Sequence, residues 1–199
     1  MPEYRWEIQD PQVKHPVPVF RSKRNKKEDR IMGLFEKLFR KEETPKIVAE
    51  EGALYAPISG RYIPLEEIPD AVFSQGILGP GCGIEPEDGI AAAPADGTVT
   101  QITDTKHAVG ITTDDGAEIL IHVGMDTVEM GGTGFTMKVK EGQKVTCGQP
   151  LLTFDINKIK AAGHPTCTAF VLTNADDYPD FVIETGKDYK RTEKIGKLR

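Results

Sequence analysis

Apolar and polar positions alternate most clearly within residues 116–128, which read GAEILIHVGMDTV. Successive residues of a β-strand point to opposite faces of the sheet. One face of this stretch carries three apolar residues suited to a core: Ile119, Ile121 and Val123. The other face carries His122 beside Leu120. The pattern therefore predicts a strand that holds His122 on the surface opposite the core.

The tripeptide Asp114-Asp115-Gly116 predicts a tight turn between this strand and strand-like residues 98–113, which include His107. With Asp114 and Asp115 as a two-residue loop, His107 lies directly opposite His122, with Cβ atoms roughly 4.5–5.5 Å apart. With Asp115 and Gly116 as the loop, His107 lies diagonally from His122 on the same face. Only an odd-length loop or a bulge would separate the imidazoles. Pairing alone leaves open whether the two histidines act together or are unrelated surface residues.

From residue 47 onward, short β-rich runs alternate with Gly, Pro and Asp-Gly turn signals about every 8–12 residues, which is typical of an all-β sandwich or barrel. Only residues 157–162 predict a short helix in this part, ending at Gly163. Residues 94–99 and 141–151 look like hammerhead turns. We therefore expect an all-β fold with little helix.

The chain divides into four predicted segments. Residues 1–31 are polar and contain several prolines, so we expect a disordered N-terminal extension. Residues 32–46 form an amphipathic segment, continuing an apolar stripe that begins at Ile31. This stripe, over residues 31–41, either makes a weak contact with an anionic membrane or packs on the domain. Residues 47–186 are expected to form the domain, and residues 187–199 a basic C-terminal tail.

Charge is distributed unevenly along the chain. The net charge of −6 combines +4 in residues 1–46, −14 in residues 47–186 and +4 in residues 187–199. Phosphate contacts need a basic face, so the acidic middle argues against nucleic acid and fits a basic protein partner.

Three cysteines, an odd number without metal-type spacing, lie at positions 82, 147 and 167 and predict reduced thiols, at least partly buried. No secretory signal and no apolar run of about 20 residues is present. We expect a cytoplasmic protein, with the inner face of the membrane as a peripheral alternative.

Several stretches resemble the glucose-type IIA components of the bacterial sugar phosphotransferase system. They are residues 116–128, the upstream Thr105-x-His107, residues 56–60 and residues 68–73. The similarity extends from about residue 32 to about residue 185. It implies an antiparallel β-sandwich or flattened barrel with Greek-key and hammerhead-type turns and short peripheral helices.

The resemblance also implies the roles of the site residues. His122 is the phosphoryl acceptor through Nε2, and His107 stabilises the phosphoryl group. Thr105 orients the ring of His107, and the backbone carbonyl of Gly124 accepts the Nδ1–H of His122. A neutral imidazole with an ordinary pKa of about 6.5 suits this chemistry because its free nitrogen is nucleophilic near pH 7.

A further set of residues is expected to bind partner proteins around the histidines. The set comprises Asp70, Val72, Phe73, Ile77, Met125 and Asp126. The four apolar members would form an exposed rim, and the two carboxylates would meet a basic donor. The alternative, a solvated loop carboxylate, is reasonable for Asp70 and less so for Asp126.

The resemblance implies a phosphoryl carrier between the histidine-containing phosphocarrier protein and a cysteine of the IIB domain of a membrane sugar permease. It would act as a phosphotransferase component with a phosphohistidine intermediate, and regulatory partner proteins are a further expectation. The competing hypothesis is a purely regulatory protein that senses phosphorylation.

No cofactor is required; zinc at His107 and His122 is conceivable, but the sequence offers no third ligand. Biotinyl carriers and zinc endopeptidases share the turns, but their lysine and His-x-His motifs are absent here.

Overall fold

The structure is a computed structural model that describes residues 48–199. The predicted N-terminal extension and the amphipathic segment lie outside the described residues. Within them, strands dominate and helices are short, as the spacing of turn signals predicted. Among these same residues, no helix has the length and apolar character needed to cross a membrane.

Fourteen strands are described, together with two short α-helices and three 3-10 helices. The strands are β1 (Ala53–Tyr55), β2 (Gly60–Pro64), β3 (Gly81–Pro86), β4 (Ile90–Ala92), β5 (Gly97–Ile102), β6 (Ala108–Thr113), β7 (Glu118–Val123), β8 (Phe135–Met137), β9 (Lys144–Val145), β10 (Pro150–Phe154), β11 (Thr168–Leu172), β12 (Val182–Ile183), β13 (Lys187–Tyr189) and β14 (Lys194–Lys197). The α-helices are α1 (Ala71–Ser74) and α2 (Ile156–Ala161), and the 3-10 helices are Leu65–Glu67, Thr127–Met130 and Ala175–Asp177.

The strands form one eight-stranded sheet and two three-stranded sheets, with antiparallel pairing throughout. The large sheet has the order β13-β2-β3-β11-β7-β6-β5-β9, and the small sheets have the orders β1-β14-β12 and β4-β10-β8. Because β11 lies between β3 and β7, the chain must cross over rather than join neighbouring strands in sequence. The predicted antiparallel β-sandwich is confirmed.

The faces of β7 are those that the alternating pattern predicted. Ile119, Ile121 and Val123 are buried in the main core. On the opposite face, Leu120 packs against a second, smaller apolar cluster. This second cluster combines side chains of the segment with the 3-10 helix at 65–67 and α1, such as Leu65 and Phe73, with strand residues such as Ile63 and Val171. Strand β7 therefore separates two apolar layers, and His122 lies on the face of the smaller one.

The register of the β6–β7 hairpin is one residue away from the predicted one. Ala108, and not His107, is the cross-strand partner of His122. The loop holds three residues, since Thr113 N donates to the carbonyl of Ala117 at 2.8 Å. Gly116 ends the loop with a φ of 88°, the left-handed conformation that three-residue hairpin loops require. The two-residue loop predicted from the sequence is therefore wrong.

Several smaller features follow the sequence more closely. The helix predicted at 157–162 is α2, one residue earlier, and Asp155 accepts hydrogen bonds from its first backbone N–H groups. All three cysteines are free and buried, as predicted. The two hammerhead-like segments, residues 94–99 and 141–151, contact each other. Cys147 N donates to Asp96 Oδ1 at 2.7 Å, and β5 pairs with β9.

The predicted C-terminal tail is wrong, because residues 187–199 supply strands β13 and β14. Three of its side chains are buried in the main core: Tyr189, Ile195 and Leu198. Its basic residues form ion pairs with acidic residues of the domain, including Arg191 with Asp88 at 3.0 Å and Lys194 with Glu50 at 2.6 Å. Exposed pairs such as Lys194–Glu50 contribute little individually, whereas Arg191 is half-buried and bonds both carboxylate oxygens of Asp88. Burial of the apolar side chains and this one pair therefore hold the segment in place.

Two substitutions in β14 test this assignment. Ile195→Ala should lower the free energy of unfolding by about 2–4 kcal/mol, because it leaves a cavity in the core. Lys197→Ala, two residues away on the exposed side, should change it by less than about 0.5 kcal/mol. Chemical denaturation measures both values. Equal effects would mean that β14 does not pack as described.

Candidate functional site

The imidazoles of His107 and His122 are in direct contact. Their ring centroids are 4.6 Å apart and their planes meet at 81°, an edge-to-face arrangement. The prediction that the two rings share one surface is confirmed, although the pairing register that supported it is wrong. The statement that an odd-length loop would separate the rings is also wrong.

A turn before β6 explains how the rings meet in this register. Lys106 has a φ of 61°, and its N–H donates to the carbonyl of Thr103 at 2.8 Å. His107 follows directly, and its carbonyl accepts from Val123 N at 2.8 Å. Because His107 comes out of a turn, strand alternation does not fix the direction of its side chain. Its ring lies against His122 while Val109 points into the core.

Small residues flank His122 on both neighbouring strands. Ala108 on β6 and Ala169 on β11 are its cross-strand partners, and Gly83 on β3 follows Ala169 in the same row. Since neither Ala108 nor Ala169 carries a long side chain, space remains above the sheet for two imidazoles, whereas the space over Gly83 is filled by Ile63 and Ile68. Sequence reasoning missed this row, because its members are far apart in the chain and align only through the strand order.

Phe73 and Met125 lie beneath the site and not on an exposed rim. The ring of Phe73 lies 5.0 Å from that of His122, and only 6% of Phe73 is exposed. Met125 is 1% exposed, within the smaller apolar cluster. Their prediction as exposed rim residues is therefore wrong. Val72 and Ile77 are 43% and 65% exposed, so their position agrees with the predicted rim, while their binding role stays a prediction.

Two threonine hydroxyls lie beside Nδ1 of His107. Thr105 Oγ1 is 2.6 Å from this nitrogen and Thr103 Oγ1 is 3.4 Å from it. The geometry agrees with the predicted orientation of the ring by Thr105, but Thr105 lies in a turn and not on a strand. Thr103 was missed by sequence reasoning, although the spacing Thr-x-Thr-x-His could have indicated it. The hydroxyl of Thr103 donates to the carbonyl of Ala108 at 3.3 Å, whereas that of Thr105 can donate to Nδ1, which would place the proton of the neutral ring on Nε2.

Nδ1 of His122 is buried and has no hydrogen-bond partner among residues 48–199. The hydrogen bond predicted from this atom to the carbonyl of Gly124 therefore does not reach full hydrogen-bond geometry. That carbonyl nevertheless lies near enough to raise the pKa of His122. Nε2 makes no hydrogen bond with the described residues either, yet it does not belong to their buried unpartnered atoms. His122 as a whole is only partly buried, so the exposed part of the residue lies away from Nδ1.

Both imidazoles favour the neutral form. Burial, followed by the proximity of His122, lowers the pKa of His107 from 6.5 to about 4. Burial also lowers the pKa of His122, whereas the Gly124 carbonyl and the carboxylates of Asp70 and Asp126 oppose this effect. Near pH 7 the site therefore offers two uncharged rings. A neutral ring keeps one nitrogen lone pair available for attack.

Asp70 and Asp126 differ in their local structure. Asp70 caps α1, because its Oδ1 accepts from Val72 N at 2.8 Å and from Phe73 N at 3.2 Å. By starting this helix, Asp70 also places Phe73 against His122. Asp126 is exposed and has a φ of 56°, directly before the 3-10 helix at 127–130.

Within the described residues, no group of three His, Cys, Asp or Glu side chains is arranged to hold a metal ion.

Residues 52–178 match the family model described as phosphoenolpyruvate-dependent sugar phosphotransferase system, EIIA 1. A "PTS system glucose-specific EIIA component" of Halalkalibacterium halodurans is 42% identical over 163 residues, covering 80% of this chain and 94% of the relative. A "PTS system beta-glucoside-specific EIIBCA component" of Bacillus subtilis is 51% identical over 146 residues, 73% of this chain. The chain spans about a fifth of the length of that relative and of a glucoside-specific EIICBA component of Staphylococcus carnosus, 22% and 21%.

One solved structure is similar over most of its length. The glucose permease IIA of Mycoplasma capricolum superposes with a TM-score of 0.64 at 32% sequence identity. The match covers 74% of this chain and 95% of the solved one. The fold and the sequence thus point to the same family.

The neutral state of His107 makes a prediction about stability and pH. Its pKa rises from about 4 in the folded protein to 6.5 on unfolding, so the unfolded state binds more protons between these values. Its contribution to stability is complete above pH 6.5 and is lost as the pH falls to about 4. His107→Gln, which cannot titrate, should therefore lose less stability than the wild type between pH 7.5 and pH 5.

Urea denaturation at the two pH values measures this difference, with His164→Gln as the control. His164 lies in the loop after α2, so this variant makes the same chemical change away from the histidine pair. Identical losses in the wild type and in His107→Gln would contradict the lowered pKa.

Proposed function

The chain belongs to the EIIA 1 family of the phosphoenolpyruvate-dependent sugar phosphotransferase system, and from this premise we propose that it carries its phosphoryl group on Nε2 of His122. Members of this family are phosphotransferase components. The observation that carries the assignment is the pair of neutral, contacting imidazoles, in which His122 is only partly buried while its Nδ1 is buried.

The proposed reaction has two transfers in series. The lone pair on Nε2 of His122 attacks the phosphorus of a phosphohistidine donor, so that an N–P bond forms as the donor's N–P bond breaks. The proton of the neutral ring stays on Nδ1 during this step. In the second transfer a cysteine thiolate of a IIB domain attacks the same phosphorus, and the bond to Nε2 breaks. Enzymes assist such transfers mainly by positioning and by stabilising charge on the equatorial oxygens.

We assign that stabilisation to His107. If Thr105 donates its hydroxyl hydrogen to Nδ1 of His107, the ring keeps its proton on Nε2 and can donate it to a phosphoryl oxygen. The edge-to-face contact keeps this ring beside His122. Because both rings are uncharged near pH 7, neither repels a basic partner protein.

The donor in this proposal is the histidine-containing phosphocarrier protein, and the acceptor is a IIB domain. EIIA components of the family act together with a IIB domain, as the fused EIIBCA relative indicates by its name. Two features support a basic donor: the net charge of −10 over residues 48–199 and the carboxylates of Asp70 and Asp126 close to His122. Val72 and Ile77 offer exposed apolar surface next to them.

In this proposal the histidine site does not bind or select the sugar. Relatives are named for glucose, beta-glucosides, glucosides and mannose. A phosphoryl carrier contacts the proteins before and after it in the series, so the choice of sugar belongs to the permease.

Cytoplasmic placement and zinc binding by the two histidines stay predictions. A purely regulatory role would use the same exposed surface but would need no transfer to a IIB domain.

Phosphoenolpyruvate and the purified general proteins of the phosphotransferase system test the proposal, with intact mass as the measurement. The wild type should gain one acid-labile phosphoryl group, and His122→Ala should gain none. His107→Gln should still be phosphorylated, but its transfer to a IIB domain should slow on the order of 100-fold, the typical effect of losing one stabilising donor.

Three outcomes would contradict parts of this proposal. Phosphorylation of His122→Ala would place the acceptor elsewhere. An unphosphorylated His107→Gln would mean that His107 is needed to accept the group. A wild type that is phosphorylated but never passes the group to a IIB domain would favour the purely regulatory role.

A further inference from the structure

Thr127 is a fully buried polar residue close to the histidine pair, with 0% of its surface exposed. It begins the 3-10 helix at 127–130, four residues after the end of β7. Its Oγ1 donates a hydrogen bond of 2.7 Å to the carbonyl of Val123, the residue that follows His122. The side chain thus closes the loop that leads away from the proposed phosphoryl acceptor.

The methyl group of Thr127 packs against the backbone of Gly124. A Cβ atom at Gly124 would lie 2.4 Å from Thr127 Cγ2, closer than real contacts allow. Gly124 also has a φ of 73°, a left-handed conformation that glycine adopts without strain. Thr127 therefore contacts two consecutive backbone units after His122, the carbonyl of Val123 through its hydroxyl and the Cα of Gly124 through its methyl group.

A second contact fixes the next peptide unit. Met125 N donates to the carbonyl of Pro165 at 3.0 Å, and the Met125 side chain is buried. In a trans peptide the N–H and the preceding C=O point in opposite directions. With its N–H held by Pro165, this unit directs the Gly124 carbonyl to the other side. Thr127 and Pro165 together leave that carbonyl little freedom.

The orientation of the Gly124 carbonyl matters because Nδ1 of His122 has no hydrogen-bond partner among the described residues. Attack through Nε2 requires the tautomer whose proton is on Nδ1, and the ring becomes more positive as the N–P bond forms. An acceptor beside Nδ1–H would stabilise that charge. The Gly124 carbonyl already lies near enough to affect the ring.

We infer that Thr127 is a positioning residue for the phosphoryl acceptor, holding the 124–127 loop so that the Gly124 carbonyl faces Nδ1 of His122. The inference rests on the proposed function for its catalytic meaning, but its structural part concerns the unphosphorylated protein. Thr127 acts only through the backbone and touches neither the phosphoryl group nor the reacting nitrogen.

Two Thr127 variants and one control separate positioning from general stability. Thr127→Val removes the hydroxyl and keeps a branched side chain, whereas Thr127→Ser keeps the hydroxyl and removes the methyl group. Thr113→Val is the matched control, because Thr113 is also buried and its hydroxyl accepts from Ala117 N at 3.0 Å, at the loop end of the β6–β7 hairpin. It should lower the melting temperature without affecting His122.

The first measurement is an NMR titration of His122 in the unphosphorylated proteins. Loss of the Gly124 carbonyl removes a group that raises its pKa, so Thr127→Val should titrate at lower pH than the wild type. His107, Asp70 and the Phe73 ring also face His122 and lie outside the loop, whereas Asp126 lies within it and raises the pKa in the same direction as the Gly124 carbonyl. Thr127→Ser should restore the titration of the wild type, and Thr113→Val should not alter it.

The second measurement is the rate of phosphorylation by the general proteins. Thr127→Val should be slower by about tenfold or more, within the range for small displacements of a reacting group. Thr127→Ser should recover most of the rate. Wild-type behaviour of Thr127→Val in both assays, or equal defects in the valine and serine variants, would overturn the inference. A wild type that accepts no phosphoryl group would instead overturn the proposed function, and the titration would still test the position of the loop.

Discussion

Two uncharged imidazole rings in edge-to-face contact, 4.6 Å between centroids, set the constraint that the surrounding structure satisfies. Burying two imidazoles so close together penalises protonation of either ring, because each charge would be poorly solvated and would repel the other. The fold meets this constraint with small residues on the two strands next to β7, Ala108 and Ala169 beside His122. The rings then lie on the sheet, with Phe73 on the side of α1.

The chemistry of the site depends on a balance between burial and nearby negative charge. Burial is the largest effect on the pKa of His122 and lowers it, while Asp70 and Asp126 act in the opposite direction. Carboxylates close to the ring disfavour an attached phosphoryl dianion and favour a basic partner surface. In the proposed reaction such weak retention is useful, because the phosphoryl group must first be accepted by His122 and then passed on. Asp70 contributes twice, because it also caps the helix that places Phe73.

The sequence was sufficient for the features that depend on local patterns. Alternation along β7 predicted which face holds His122, and the spacing of turn signals predicted an antiparallel β fold. The hairpin register failed because it depends on one left-handed residue, Gly116, which makes the loop three residues long. The rings meet all the same, because a turn at Lys106 redirects His107. Burial of Met125 and the strands of the C-terminal segment depend on distant parts of the chain, which no local pattern contains.

The central claim is that Nε2 of His122 carries the phosphoryl group while its proton stays on Nδ1. Long-range proton–nitrogen correlation spectra of the ¹⁵N-labelled, phosphorylated protein, read together with its ³¹P couplings, test this claim most directly. The account predicts one phosphoryl group, coupled to Nε2 of His122, with Nδ1 protonated and His107 neutral and unmodified. Coupling of the phosphorus to Nδ1 of His122, or to either nitrogen of His107, would contradict it.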